Sequence, residues 1–344
     1  MKAVFFEVSE DDEKILRGLM PGIDASFHKE RLSPETASFA AGAEAISVFI
    51  NSEVRKDVID ALPNLKLITT RSMGFDHIDI AYAESKKIAV ATVPGYGAHT
   101  VAEFTFALIL ALSRKIIPAY QHLREEDSFS LKNLMGFDLH GKTLGVIGTG
   151  KIGKHIISIA KGFGMRVLAF DRTPDTEFAS KMEGENVSLP TLLAGSDIVT
   201  IHTPYSKETH HIINKESVKQ MKRGVLLINT ARGEIVETDA LAWGLAEGII
   251  AGAGLDVLEG ERYMKDEAAF LINNLEEAME TKEGFKTILE SHALVHDKRV
   301  IATPHMAFFS KEAIEEIMKT TAENITGFTS GTPQNIVSTA KTHS

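Results

Sequence analysis

Residues 142–171 read KTLGVIGTGKIGKHIISIAKGFGMRVLAFD, and this stretch constrains the fold more tightly than any other. The apolar run Leu144–Ile147 has the length of a strand and is too short for a helix. It breaks into Gly148-Thr149-Gly150-Lys151-Ile152-Gly153, after which apolar residues recur at helical spacing through Ile152, Ile156, Ile159 and Phe163 until Gly164 stops the helix. A second strand-like run, Val167–Phe170, ends at Asp171. Gly148 permits the tight turn, Gly150 lets backbone approach a pyrophosphate, and Gly153 lets helix and strand pack closely. The helix N-terminus offers free N–H groups and a positive dipole end to phosphate. Asp171 follows at about the 20-residue spacing where a carboxylate accepts hydrogen bonds from an adenosine ribose and repels a 2′-phosphate. The unit predicts a dinucleotide site that takes NAD rather than NADP, with Arg172 next door pulling weakly the other way. The bland alternative is a glycine-rich turn with no ligand.

The chain has 344 residues, enough for two domains with their own cores. Its 44% hydrophobic and 24% charged content is that of a soluble globular enzyme. A net charge of −10 excludes a global field that draws in nucleic acid or anionic membrane. There is no cysteine, which excludes disulfides, thiolate catalysis and Cys-ligated zinc. The opening MKAVFFEVSEDDEK lacks the pattern of a signal peptide, and the apolar stretch around Phe104–Leu112 is too short to span a bilayer, so a cytoplasmic address is expected.

Strands and helices alternate before the glycine-rich unit. Strand-like runs fall at Ala3–Phe6, Ile46–Ile50, Leu67–Thr70 and Ala89–Val93, with helical stretches at Asp11–Met20, Arg55–Ala61 and Asp79–Lys86. This alternation predicts an α/β fold with parallel sheets covered by helices. Two loops follow strands, Arg71-Ser72-Met73-Gly74-Phe75-Asp76 and Val93-Pro94-Gly95-Tyr96-Gly97; loops at strand carboxyl ends are where open α/β sheets bind ligands, although both also read as plain turns. Thr100–Arg114 is an almost wholly apolar helix, expected to be buried on most sides and to cross between domains. Arg124–His140 reads as a surface excursion. Beyond Asp171, strand-like runs at Ile198–His202, Val225–Asn229, Ala253–Leu255 and Val300–Ala302 bring the second sheet to six strands, with a helix at Glu237–Glu247. Asp266–His296 interrupts with amphipathic helical sequence, and Ser310 caps a last helix through Phe328.

Three polar residues lie at or near strand ends of the second region: Arg232 in Asn229–Gly233, Glu261 after Leu255-Asp256, and His305 in Ala302–Met306. Carboxyl ends of sheet strands converge on the cofactor crevice, so the three can meet there. Arginine grips a carboxylate and a carbonyl in a planar, two-point manner. Hydride addition to a carbonyl leaves an oxygen that needs a proton, which histidine is suited to give near neutral pH. A carboxylate beside an imidazole favours the imidazolium and fixes the ring. Together they fit hydride transfer to a 2-keto acid, with backbone N–H groups of Met73 and Gly74 as further holders of the substrate carboxylate. Read singly, each could equally be a surface ion pair or a structural histidine.

At this point the chain resembles the D-isomer-specific 2-hydroxyacid dehydrogenase family, and within it the D-lactate dehydrogenase branch. The match runs through Arg71–Asp79, Val93–Glu103, Gly148–Asp171, Ser196–Pro204, Asn229–Gly233, Gly254–Glu261 and Thr303–Phe309. The resemblance implies two doubly wound parallel-sheet domains with a cleft between them. One is a flavodoxin-like substrate domain over 1–99 and 307–344, the other a Rossmann NAD-binding domain over 100–306. It implies Arg232, Glu261 and His305 as the catalytic set, with His305 the proton donor in reduction. The glutamate stands five positions after Asp256 in the lactate branch, which favours Glu261, with Glu259 the lesser candidate. Met73, Gly74, Tyr96 and Arg232 would bind substrate. Cofactor contacts carry over to Gly148, Gly150, Lys151, Ile152, Gly153, Asp171, His202, Thr203, Pro204, Thr209, Thr230, Ala231 and Asp256, the last facing the nicotinamide carboxamide. A homodimer through the cofactor domain is implied as well.

Some positions depart from the family. Lys151 stands where arginine or histidine is common, and Phe308-Phe309 replaces the paired tyrosines of D-lactate enzymes, so a longer 2-keto acid competes with pyruvate as substrate. The acid at Glu261 argues against formate, whose dehydrogenases carry glutamine there. A dinucleotide-sensing corepressor is a reading of another class, and a zinc enzyme built on His292 and His296 is a third, lacking an obvious further ligand. His210-His211 is expected on a sheet-edge loop facing solvent.

Overall fold

A computed structural model describes residues 1–125, 129–172, 185–261 and 290–338. The chain forms two compact units, one made of Met1–Gly97 with the residues from Phe309 onward, the other of Ala98–Phe308.

The first unit is a six-stranded sheet of β1 (Lys2–Phe5), β2 (Asp24–Phe27), β3 (Ala45–Val48), β4 (Leu67–Thr70), β5 (Ala89–Ala91) and β13 (Ile336–Val337), in the order β13-β5-β4-β3-β1-β2. Every pairing is parallel except that of β13 with β5. All four residues of β3 and of β4 are buried, as expected of central parallel strands covered on both faces. Helices α1 (Glu10–Leu19), α2 (Lys56–Asp60) and α3 (Ile80–Ser85) fall close to the predicted spans. The order β2-β1-β3-β4-β5 is the flavodoxin-like one. The C-terminal helix, here α10 (Lys311–Thr329), belongs to this unit and packs Met318, Ala322 and Ile325 into the core beside Phe5 and Leu67. Ser310 caps it through a bond from the Ala313 N–H at 3.2 Å, an interaction worth about 1 kcal/mol.

The second unit is a seven-stranded parallel sheet of β6 (Thr143–Ile147), β7 (Arg166–Phe170), β8 (Glu185–Asn186), β9 (Ile198–Ile201), β10 (Val225–Asn229), β11 (Ile250–Leu255) and β12 (Val300–Ala302). Its order, β12-β11-β10-β9-β6-β7-β8, is that of a dinucleotide-binding sheet with one strand added. Six strands were expected; the extra one, β8, is two exposed residues beside β7 that carry no hydrophobic signature. Strands β2 and β13 of the first sheet are likewise short and only partly covered. Helices α4 (Ala98–Ser113) and α6 (Lys151–Gly162) cover one face with Leu144, Val146, Ile156 and Leu226 between them. Helices α7 (Leu189–Gly195), α8 (Lys215–Lys219) and α9 (Thr238–Ala246) cover the other over Ile147, Val199, Ile201 and Leu227. Helix α5 (Ile116–Glu125) was not foreseen: it has no buried residue, so no core-facing stripe marks it. Most of the Asp266–His296 stretch lies outside the described residues, although 290–295 are helical. No helix among the described residues is long and apolar enough to cross a membrane.

Candidate active site

The glycine-rich turn joins β6 to α6. Gly148 has φ +94°, and a side chain there would strike the His202–Thr203 backbone at 2.7 Å. Gly153 would meet the Gly148 carbonyl at 2.1 Å, so helix and turn are in direct contact and only glycine fits. Gly150 is the opposite case: a Cβ there meets no atom of the described residues within 4 Å. The backbone at Gly150 therefore faces open space at the N-terminus of α6, the cradle a pyrophosphate needs. Asp171, just past β7, turns Oδ2 onto this turn and accepts from the Thr149 N–H at 2.7 Å and its hydroxyl at 3.0 Å. The acid and the turn are thus a single piece. These residues suit NAD: an anion-binding helix end, a backbone with room before it, and a carboxylate at the ribose position.

Past β9, His202 donates its backbone N–H to the Ile147 carbonyl at 2.7 Å, and its Nε2 lies 2.8 Å from the Thr200 hydroxyl. Burial pushes the imidazole down to a pKa of about 3, and Nδ1 has no hydrogen-bond partner among the described residues. Thr203 and Pro204 lead into a turn closed by Thr209, whose hydroxyl donates to the Pro204 carbonyl at 2.8 Å and accepts from the Ser206 N–H at 2.7 Å. Thr230 shares a hydrogen bond of 3.1 Å with Thr105 of α4. Lys151 and Ile152 are the first two residues of α6.

The candidate catalytic residues Arg232, Glu261 and His305 follow the carboxyl ends of β10, β11 and β12, which lie side by side. Asn229, a residue that spacing alone did not single out, ends β10 almost wholly buried and braces the turn behind it. Its Oδ1 accepts from the Ala231 N–H at 3.0 Å, and its Nδ2 donates to the Arg232 carbonyl at 2.8 Å. Arg232 follows in extended conformation, with Nη1 on the Ala231 carbonyl at 2.7 Å. Gly233 then presses against the next loop so closely that a Cβ would sit 2.2 Å from the Leu258 carbonyl carbon and 2.4 Å from the Glu259 nitrogen. The backbone of the arginine segment and that of the glutamate loop are in contact.

His305 Nδ1 lies 2.6 Å from Glu261 Oε1, and both side chains are mostly shielded. With the carboxylate on Nδ1, that nitrogen carries the proton of the contact, and Nε2 is the ring nitrogen turned away from Glu261. Glu261 is itself fixed, accepting from the Leu258 N–H at 3.2 Å through Oε2. Glu259, the lesser candidate, turns away to His211 at 2.7 Å. The expectation of a solvent-facing His211 is corrected by this contact: its side chain is only 30% exposed because Glu259 holds it.

His305 has φ +53°, in the left-handed region that a non-glycine residue seldom occupies. Asp256 holds it there. Its backbone carbonyl accepts from the His305 N–H at 2.9 Å, Oδ1 accepts from the Thr303 hydroxyl at 2.6 Å and the Met306 N–H at 2.9 Å, and Oδ2 accepts from the Ala307 N–H at 2.8 Å. Asp256, expected against the nicotinamide, thus commits both oxygens to the turn that carries His305.

Met73, Gly74 and Tyr96 belong to the first unit. There the Ser72 hydroxyl donates to the Gly74 carbonyl at 2.6 Å and lies 2.6 Å from the Thr70 hydroxyl, which in turn lies 3.1 Å from His77 Nε2. These bonds shape the loop whose N–H groups were expected to hold a carboxylate. No cluster of three or more metal-ligating side chains exists among the described residues; His292 and His296 stack on each other at 4.5 Å.

Comparison with known proteins identifies the family. The family model for the NAD-binding domain of D-isomer specific 2-hydroxyacid dehydrogenases matches residues 106–307. A D-lactate dehydrogenase of Curvularia clavata is 37% identical over 343 residues, covering 97% of this chain and 94% of that protein. The D-lactate dehydrogenase of Escherichia coli is 35% identical over 337 residues, covering 96% and 98%. A solved D-lactate dehydrogenase from Aquifex aeolicus, complexed with NAD and lactic acid, superposes with a TM-score of 0.84 at 34% identity over 96% of each chain.

Proposed function

The chain belongs to the D-isomer specific 2-hydroxyacid dehydrogenase family and is an NAD-dependent D-2-hydroxyacid dehydrogenase; from that premise we propose that it reduces pyruvate to D-lactate, with His305 as the acid. The observation that carries the reading is the 2.6 Å contact of His305 Nδ1 with Glu261, beside the Arg232 segment at the carboxyl ends of three adjacent strands. NADH supplies the hydride when bound. Arg232 binds the substrate carboxylate and carbonyl through its planar fork. The Met73 and Gly74 N–H groups and Tyr96 are carried over from the family as further substrate contacts. His305 Nε2 gives its proton to the carbonyl oxygen as charge develops there, while Glu261 keeps the ring in the donating orientation. In the oxidative direction the same nitrogen accepts the hydroxyl proton.

A longer 2-keto acid is the competing substrate, supported by Phe308 and Phe309 in place of the tyrosines of the lactate branch. Steady-state rates with NADH and 2-keto acids of rising chain length separate the two, and chiral analysis of the product checks its hand. Pyruvate is expected to give the highest kcat/KM and D-lactate the product; preference for a branched or longer acid replaces the substrate assignment, and no turnover with any 2-keto acid removes the reading. The sensing role of another class predicts NADH binding without turnover in the same assay.

The reading includes a homodimer and a cytoplasmic address. Support for the dimer is the face of α5 and the segment beyond it, where Tyr120 is 58%, Phe129 90%, Leu131 84% and Met135 90% exposed, an apolar patch of the kind that marks an association surface. Sedimentation of the wild-type protein and of a Tyr120→Glu, Leu131→Glu variant tests it, with dimer and monomer the respective expectations.

A further inference from the structure

Glu259 is a well-enclosed acid at the edge of the site for which proton transfer has no use. Its side chain is 17% exposed and lies beside a small cavity whose other walls include Val236, Leu241, Val257 and Leu294. A carboxylate in such surroundings must be supplied with donors, and Glu259 has them on both oxygens. Oε1 is 2.7 Å from His211 Nε2. Oε2 accepts from the Thr238 hydroxyl at 2.7 Å and from the Thr238 N–H at 3.2 Å. Thr238 is the first residue of α9, whose N-cap Glu237 makes no side-chain capping bond, so Glu259 serves an otherwise uncapped helix end. The Glu259 carbonyl in turn accepts from the buried Ser291 hydroxyl at 3.0 Å.

We propose that Glu259 is the positioning residue for the His305–Glu261 pair, clamping the 258–261 turn that carries Glu261 to α9 and to His211. The proposal rests on the assignment of His305 and Glu261 as the proton-transfer pair and adds the device that holds the second of them in register. Three features lead from Glu259 to the reacting nitrogen. Gly260 takes φ +73°, and the Glu261 N–H closes onto the Leu258 carbonyl at 3.0 Å, so residues 258–261 form one tight turn. That turn has Glu259 pointing to the anchor and Glu261 pointing to His305. The Glu259 nitrogen also lies against Gly233, next to Arg232, so the clamp fixes the spacing between the arginine backbone and the glutamate loop. Displacing a reacting group by 1 Å costs about 100-fold in rate.

The test compares Glu259→Ala and Glu259→Gln with the wild-type enzyme in NADH binding, kcat and KM for pyruvate, and thermal stability. Glutamine keeps an oxygen for Thr238 and an amide group that can hydrogen-bond to the His211 ring, so it rebuilds the clamp without the charge. The alanine variant is expected to lose about 30-fold in kcat, within the range that misplacement by less than 1 Å produces, with NADH affinity within about twofold of wild type. Glutamine is expected to restore kcat to within about fivefold, which a clamp requires and a proton-transferring acid forbids. Wild-type kcat in the alanine variant overturns the proposal, whatever its melting temperature, and so does a fall in NADH affinity that matches the fall in kcat. If the alanine variant does not fold, Thr238→Val removes one bond of the clamp and is expected to lower kcat about threefold with NADH affinity unchanged, against no change in kcat if Glu259 is merely structural. An inactive wild-type protein on every 2-keto acid speaks against the proposed function; an active wild type with an equally active alanine variant speaks against the clamp alone.

Discussion

Replacing Asp256 by asparagine changes one atom and should unseat the imidazole. Asp256 is 1% exposed and accepts three hydrogen bonds through its side chain, from Thr303, Met306 and Ala307. Asparagine can keep only one side of that pattern. The cheaper orientation leaves the amide oxygen to Thr303 and Met306 and turns the NH2 group toward the Ala307 N–H, so two donors meet in a buried place. An orphaned buried N–H costs about 1–3 kcal/mol, and the two surviving bonds lose their charge assistance, so a total near 3 kcal/mol is expected. The strain of holding His305 at φ +53° is of order 1–3 kcal/mol. The loss therefore equals or exceeds the strain that these bonds restrain, and the turn relaxes away from Glu261. At about 2–4 °C per kcal/mol for a unit of this size, the melting temperature should fall by about 6–12 °C. Turnover should fall about 100-fold through misplacement of the imidazole, with NADH affinity little changed. Calorimetry and single-turnover reduction of pyruvate measure the two. A variant that melts within about 1 °C of wild type and turns over within about threefold of it refutes the assignment of Asp256 as the holder of the His305 turn.

The glycines of the β6–α6 turn should separate fold from ligand. Gly150→Ala meets no protein atom and should leave the melting temperature near wild type while weakening NADH at least about tenfold, roughly 1.4 kcal/mol, whereas Gly153→Ala collides with the Gly148 carbonyl and should destabilise the apoprotein itself. Calorimetry with and without NADH distinguishes them, and equal stability loss in both would mean that the open space at Gly150 is not the phosphate cradle. Asp171→Ala should shift the ratio of NADH to NADPH affinity toward NADPH by about tenfold or more, because the repulsion of a 2′-phosphate goes with the carboxylate. Equal weakening of both cofactors would leave Asp171 only its brace on Thr149. His202 has its folded pKa depressed from 6.5 to about 3, so the unfolded chain binds its proton first as the pH falls; its contribution to stability is complete above pH 6.5 and is lost progressively toward pH 3. His202→Asn should flatten the acid limb of apoprotein stability across that window, and an unchanged limb by pH-dependent calorimetry would mean that the ring is not enclosed.

The parts of this molecule legible in the sequence are those whose causes are local. The strand, glycine turn and helix of 143–162 are written in apolar period and in the chemistry of three glycines, and the cap of α10 is written in Ser310. Strand β8 escaped because its two residues are exposed and owe their conformation to β7, and α5 because none of its residues is fully buried. The site divides along the same line. Arg232, Glu261 and His305 could be placed near strand ends because each follows an apolar run, but the residues that aim them could not. Asp256 reaches turn residues about fifty positions away, Asn229 braces a turn from the end of a strand, and Glu259 binds a histidine 48 positions back. Glu259 and Glu261 stand two residues apart after the same strand, and spacing alone gives either a claim on His305. What separates them is Gly260 at φ +73°, which turns the chain so that the two carboxylates diverge. A glycine in a loop permits such a turn without demanding it; the demand comes from Gly233, whose lack of a side chain lets the Arg232 backbone lie against Leu258 and Glu259. The pairing of acid with imidazole is therefore set by contact between two loops, with the arginine on one and the glutamate on the other, so a change at Gly233 should disturb Arg232 and Glu261 at once.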